Sequence, residues 1–144
     1  MSLMVIKADV SHAEGIISLN RRCLNQGWSD ESIINDISKH DYYAAINDGE
    51  VVGYACVWMM PPEAELQDIC VSPEMRRQGI ARLIMEHLIK DAENNGADTV
   101  LLEVRSSNTA AIRLYEEYGF VKTGIRKGYY DNKEDALIMC KNIE

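Results

Sequence analysis

Two stretches of this chain hold residue types whose order suggests chemistry. The first runs Gln67-Asp68-Ile69-Cys70-Val71-Ser72-Pro73-Glu74-Met75-Arg76-Arg77-Gln78-Gly79-Ile80-Ala81-Arg82. A strand-like run stops at Ser72-Pro73, and a basic loop opens at Gly79 into a helical pattern. A turn of that kind aims backbone N–H groups and the positive end of a helix dipole at one spot. Gly79 lets the backbone approach a ligand without a Cβ, and Arg76, Arg77 and Arg82 add a positive cluster. The combination suits a pyrophosphate. It is not a Walker A loop, since no G-K-[ST] follows, and it is not G-x-G-x-x-G. A plain helix start with solvated arginines has the same spacing and stays open as the alternative.

The second stretch is Leu101-Leu102-Glu103-Val104-Arg105-Ser106-Ser107-Asn108-Thr109-Ala110-Ala111-Ile112-Arg113-Leu114-Tyr115. Glu103 stands in an otherwise apolar strand, an expensive place for a carboxylate unless something uses it. Its bland reading is a water-covered face with Arg105 as partner. Tyr115 lies on the apolar side of its helix, where by itself a core tyrosine with its hydroxyl satisfied at the edge is the expected reading.

The elements that must position these residues follow from periodicity and punctuation. Ser11 with Glu14 reads as a capping box for a first helix carrying Ala13, Ile16, Ile17, Asn20, Cys23 and Leu24. Ser29 caps a second, with Ile33, Ile34 and Ile37 as its stripe. Tyr42 to Ile46 and Val51 to Met59 form a hairpin about Asn47-Asp48-Gly49, and Glu65 to Val71 is a third strand after Pro61-Pro62. A long helix runs from Gly79 to Asn94 on Ile80, Leu83, Ile84, His87 and Leu88, ended by Asn95-Gly96. Thr99 to Val104 is a strand, and Asn108 caps a short helix through Tyr118 that Gly119 closes. Phe120 to Ile125 and Ala136 to Cys140 are the last strands, joined by a polar loop through Tyr129 and Tyr130. The order is ααβββαβαββ, an α/β layer structure with a mainly antiparallel first half.

The 144 residues fit one domain, 1–144, with a core that needs no disulfide or metal staple. Met1-Ser2-Leu3 before Met4 reads as a cloning remnant and carries no weight. The formal charge of −8 works against nucleic acid and anionic lipid and mildly favours cationic partners. Cys23, Cys56, Cys70 and Cys140 show no C-x-x-C spacing, so no metal site is expected and the thiols read as small, reduced hydrophobes. With no leader-like or 18-residue apolar segment, the expectation is a soluble cytoplasmic protein.

Arg76-x-x-Gly79-x-Ala81 after a strand resembles the acetyl-coenzyme A loop, Q/R-x-x-G-x-G/A, of the GCN5-related N-acetyltransferases. The resemblance extends through Leu102-Glu103-Val104-Arg105, Asn108-x-Ala110-Ala111-Ile112-x-Leu114-Tyr115-Glu116, Tyr118-Gly119-Phe120 and Tyr129-Tyr130…Glu134-Asp135-Ala136. In these it is similar to the ribosomal-protein alanine N-acetyltransferases of the RimI type, over essentially the whole chain. The likeness implies the single-domain fold of that family, a mixed, mostly antiparallel twisted sheet flanked by helices. It implies acetyl-CoA as co-substrate, no metal, and a protein or peptide N-terminus, that of a ribosomal protein, as acceptor.

Residue by residue, the resemblance assigns the acetyl and pantetheine arm to the backbone of Ile69, Cys70 and Val71, with the Val71 N–H as oxyanion donor. It assigns the pyrophosphate to the amides of Arg77, Gln78, Gly79, Ile80, Ala81 and Arg82, and a pantetheine contact to Asn108. Glu103 becomes a general base acting through water, and Tyr115 the acid that returns a proton to the leaving thiolate. Trp28, Tyr129 and Tyr130 would meet the acceptor, Trp28 being equally a staple for the second helix. Where such enzymes show Pro-Trp-Ser, this chain has Gly27-Trp28-Ser29, which frees that backbone. An α-amine with pKa about 7.7–8.0 is partly neutral near pH 7, against roughly one lysine in a thousand, so a carboxylate base suffices for it. Acetylation of a small amine or another terminus, and non-catalytic acetyl-CoA binding, remain the alternatives.

Overall fold

A computed structural model describes residues 3–23, 29–130 and 133–143. The strands are β1 (Leu3–Ala8), β2 (Asp41–Asn47), β3 (Glu50–Met60), β4 (Glu63–Val71), β5 (Thr99–Arg105), β6 (Val121–Arg126) and β7 (Ala136–Asn142). The α-helices are α1 (Ala13–Arg22), α2 (Asp30–Ile37), α3 (Ile80–Asn94) and α4 (Thr109–Glu117). One sheet has the order β1-β2-β3-β4-β5-β7-β6, antiparallel everywhere except between β4 and β5.

β1 is the element missing from the expected order. Leu3, set aside as a remnant, opens it and pairs with Asn47. The first helix also starts differently. Asp9 accepts from the Ser11 N–H at 2.9 Å and donates its own N–H to His12 Nδ1 at 3.1 Å, so the capping residues precede a 3-10 turn rather than being Ser11 and Glu14. Leu83 is exposed, while Met85 and Ala92 join Ile80, Ile84 and Leu88 on the buried face of α3.

Other signals act as read. Asp48 and Gly49 both have positive φ, 50° and 85°, as a two-residue hairpin turn with matching twist requires. Ser29 and Asn108 accept the N–H groups of Ser32 and Ala111 at the starts of α2 and α4. Gly96 and Gly119 end α3 and α4 in the left-handed region, each with the paired 6→1 and 5→2 bonds of a glycine C-cap.

The sheet carries helices on both faces. Ile16, Leu19, Ile33 and Ile37 of α1 and α2 bury Tyr42, Tyr54, Cys56 and Cys70 on one side. On the other side α3 and Tyr115 of α4 cover Tyr43, Val57, Leu66, Leu102 and Phe120.

β4 changes face midway. Val57 pairs with Leu66 but Cys56 pairs with Asp68, so Gln67 is an extra, bulged residue. Leu66 therefore packs under α3, whereas Cys70 packs under α1. The parallel pairing of β4 with β5 ends at the same place, at Leu66 and Leu102. Beyond it β5 pairs with β7 and β4 with β3, and the two strands part.

The thiol expectation needs one correction. Cys23, at the end of α1, is joined to Cys70 of β4 in a disulfide with Cα atoms 6.3 Å apart. The pairing spans 47 residues and arises from helix-on-sheet packing, so no local spacing announced it. Cys56 and Cys140 are free.

Candidate active site

Where β4 and β5 part, a cavity of about 700 Å³ opens along β4 and the start of α3. Ile69, Cys70, Val71, Arg76, Arg77, Gly79, Ile80, Ala81 and Arg82 line it, with Asn108 across the gap; Gln78 does not. Arg77 and Gly79 have φ of 65° and 80°. Left-handed residues alternating with others make an anion-binding concavity of backbone N–H groups. Leu83 N–H, bonded to Gly79 O at 3.1 Å, closes the first turn of α3, so the Ile80, Ala81 and Arg82 amides have no helical acceptor. Oriented donors at a helix N-terminus favour a phosphate.

Two arginines there brace the walls. Arg76 Nε donates to Val71 O at 3.3 Å, and Arg82 forms an ion pair with Glu117 of α4. The N–H and C=O of one strand residue point to the same side, so Val71, whose carbonyl turns to Arg76, presents its N–H to the gap and not to β3.

A second cavity of about 430 Å³ lies on the other side of the gap and shares Ile69, Asn108 and Tyr115 with the first. The pair forms a passage through the sheet. Glu65, Gln67 and Asp68 of β4 face Glu103 and Arg105 of β5 across it, with Tyr129 and Tyr130 at its rim. Three of these are carboxylates, so the interior favours a cation.

Glu103 does not pair with Arg105. It is separated by 3.2 Å from Arg126 Nε, and its buried Oε2 accepts no hydrogen bond from the described protein. Arg105 turns instead to Glu134, at 3.5 Å, and stacks its guanidinium 3.9 Å from the Tyr130 ring centroid. Arg126 approaches the Tyr129 ring at 5.6 Å, and the two tyrosine rings meet edge-on at 5.1 Å. Glu134 also accepts the Ser107 N–H at 2.6 Å, which docks the tyrosine loop on the β5–α4 corner.

The Tyr115 phenol is buried, and burial, the Asp68 charge and Tyr130 all push its pKa up, so it stays protonated at neutral pH. Burial also holds Asp68 above the usual carboxylate range, opposed by hydrogen bonds from the Tyr54 hydroxyl, at 2.7 Å, and the Ile69 N–H. Tyr54 in turn accepts from Asn20 Nδ2 of α1 at 2.7 Å.

The structure thus brings together Glu103, Tyr115, Tyr129, Tyr130, Asn108 and the β4 and α3 cradle. Trp28 lies outside the described residues. Sequence reasoning assigned nothing to Glu65, Gln67, Asp68, Arg113 or Arg126, all of which line a cavity or hold a lining residue. Asp68 had a readable signal, since it interrupts a strand as Glu103 does. No group of three or more His, Cys, Asp or Glu side chains among the described residues could hold a metal ion.

The profile of the acetyltransferase (GNAT) family matches residues 13–120. A relative from Escherichia coli (strain K12), named [ribosomal protein bS18]-alanine N-acetyltransferase, is 40% identical over 120 residues, covering 81% of each chain. An N-alpha-acetyltransferase of Saccharolobus solfataricus is 32% identical, covering 94% of this chain and 90% of that one. Among solved structures, the ribosomal-protein-S18-alanine N-acetyltransferase of Escherichia coli superposes with a TM-score of 0.93 at 31% identity, over 99% of this chain and 95% of that one.

Proposed function

Because the chain belongs to the acetyltransferase (GNAT) family, we propose that it moves acetyl from acetyl-CoA to the α-amine of a protein N-terminus, the N-terminal alanine of a small-subunit ribosomal protein. The observation that carries this reading is the passage through the sheet. An anion-binding cavity and an acidic cavity meet at Ile69, Asn108 and Tyr115. An acyl donor with a pyrophosphate fits the first, and a cationic amine fits the second.

The residues then divide the work. The amides of Ile80, Ala81 and Arg82 take the pyrophosphate, and the exposed edge of Ile69–Val71 takes the pantetheine as a strand would. The Val71 N–H stands where negative charge develops on the thioester oxygen. Glu103, which lines the acidic cavity and whose Oε2 lies 3.2 Å from Arg126 Nε, accepts the amine proton, directly or through one water. Tyr115 donates a hydrogen bond to the departing sulfur. Its raised pKa widens the proton-affinity gap to a thiol of pKa about 8.5, so it stabilises the thiolate more than it protonates it.

Tyr129 and Tyr130, fixed by Arg126 and Arg105, frame the entrance for the first residues of the acceptor. A panel assay tests the acceptor class. CoA release is followed with an alanine-initiated ribosomal peptide, free alanine and a polyamine at equal concentration. Faster turnover of the peptide supports the reading; equal or faster turnover of the free amines contradicts it. The formal charge of −8 suits a cytoplasmic enzyme acting on basic ribosomal tails.

A further inference from the structure

We propose that the Cys23–Cys70 bridge is a second reaction site of the donor cavity, where the thiol of free CoA exchanges with the disulfide and stays as a mixed disulfide on Cys23. The inference rests on the donor half of the function proposed above and is independent of the acceptor. Both cysteines line that cavity, beside Ile69, Val71 and the start of α3. Cys23 Sγ lies 3.5 Å from the Val71 carbonyl oxygen. The Val71 N–H is the group assigned to the thioester oxygen, so the reacting end of the donor and the bridge meet at one residue. Acetyl transfer turns that thioester into a thiol. The product therefore presents a sulfur nucleophile to a wall that holds a disulfide.

Access selects the sulfur. Cys70 is 4% exposed and packs against Leu19 of α1, whereas Cys23 is half-buried at the end of that helix. Exchange proceeds by attack of a thiolate on a reachable disulfide sulfur. The CoA sulfur bonds to Cys23 Sγ, the Cys23–Cys70 bond breaks, and its electron pair goes to Cys70 Sγ, which takes the proton that the CoA thiol gave up. One thiol is oxidised and one released, so the step needs no outside oxidant. The Cys70 thiol then has an acceptor at hand, since its Sγ lies 3.8 Å from the Leu19 carbonyl oxygen. Return attack by Cys70 is opposed by the Ile80, Ala81 and Arg82 amides, whose hold on the pyrophosphate keeps CoA at its own adduct. A small thiol lacks that second tie. Cys56 and Cys140 line neither cavity and, as free thiols, offer CoA no disulfide to exchange with. The modified chain has its donor cavity filled, so turnover without reductant runs down as CoA accumulates.

The bridged full-length chain is incubated with excess CoA under nitrogen, quenched in acid and weighed without reductant, and the adduct is placed by peptide mapping. One CoA on Cys23, with Cys70 open to alkylation and the adduct removed by dithiothreitol, is the expected result. It should form at least about tenfold faster than the adduct of 2-mercaptoethanol at equal concentration, because bound CoA reacts as a tethered thiol. Desulfo-CoA, which keeps the pyrophosphate and lacks the thiol, should add no mass and slow the reaction of CoA. Cys23→Ser, shown to be folded by its melting curve, should take no CoA. The proposal is overturned by an absent adduct on the bridged wild type, by an adduct on Cys56 or Cys140, or by equal rates for CoA and 2-mercaptoethanol. Melting of the wild type with desulfo-CoA tells the two failures apart. A rise in melting temperature without an adduct rejects the exchange alone; no rise rejects the donor cavity and the exchange with it.

Discussion

The carbonyl of Tyr115 accepts the N–H of Phe120 at 3.0 Å, and their rings lie 5.8 Å apart, tilted by 56°. The bond is one half of the glycine C-cap that ends α4 at Gly119, so the motif that stops the helix also aims the phenol at the gap between β4 and β5. Tyr115→Phe keeps this packing and removes the donor. It should melt near the wild-type temperature, bind CoA normally and lose about 10- to 1000-fold in kcat. Phe120→Ala should cost about 3–5 kcal/mol of stability and lose activity together with the fold. Retention of full kcat by Tyr115→Phe would remove that residue from the mechanism.

Glu103→Gln should lower kcat by about 10²- to 10⁴-fold at pH 7 with donor affinity intact. The defect should shrink as pH rises past the α-amine pKa, about 7.7–8.0, because free amine then no longer needs a base. A kcat/KM–pH profile of wild type against variant reads this directly.

Gly79 and Gly49 allow a matched comparison. Both have positive φ, 80° and 85°, and an added Cβ meets nothing within 4 Å at either. Alanine at each should therefore cost a similar amount, about 1–2 kcal/mol, through backbone conformation alone. Only Gly79→Ala should also weaken acetyl-CoA binding, by about tenfold. Calorimetric titration of the two variants separates the cradle's role from generic strain.

How much was legible beforehand differs by kind of signal. Glycines and caps are local, so the ends of α3 and α4, the cap at Asn108 and the turn at Asp48-Gly49 were readable. Asp9 lies outside the S/T-x-x-E pattern, and the helix start was misplaced for that reason. The Glu103–Arg126 and Arg105–Glu134 pairings cross strands and loops, where the nearest charge in sequence is a poor guide. The bulge at Gln67 is set by pairing with β3, and no periodicity in β4 alone reveals it. The Cys23–Cys70 bridge is long-range in the same sense.

That bridge ties the end of α1 to the strand beneath the donor cavity. Closing a loop of 47 residues stabilises a fold by about 4 kcal/mol in the chain-entropy account. Reductant should lower the melting temperature by several degrees, and Cys23→Ala with Cys70→Ala should abolish the difference. Equal melting with and without reductant in the wild type would show that the bridge contributes nothing.

Asp68 gives a pH dependence of defined sign. Burial raises its folded pKa above the unfolded value, so the folded state binds the proton more tightly and stability falls as pH climbs between the two. The cost begins near the unfolded value, about 3.9, and is complete once pH exceeds the folded pKa. Asp68→Asn should thus melt higher than wild type at pH 7, with the gap narrowing as pH is lowered towards 4. A lower melting temperature at pH 7 would mean the carboxylate is a structural support and not a functional expense.

The central claim, transfer to a terminal α-amine, is tested most directly by locating the product. A peptide beginning Ala-Arg with an internal lysine is incubated with acetyl-CoA, and fragmentation mass spectrometry places the added group. One acetyl on the terminal amine, absent when that amine is blocked in advance, is the expected result. Acetyl on the lysine, or none on either amine, would contradict the account.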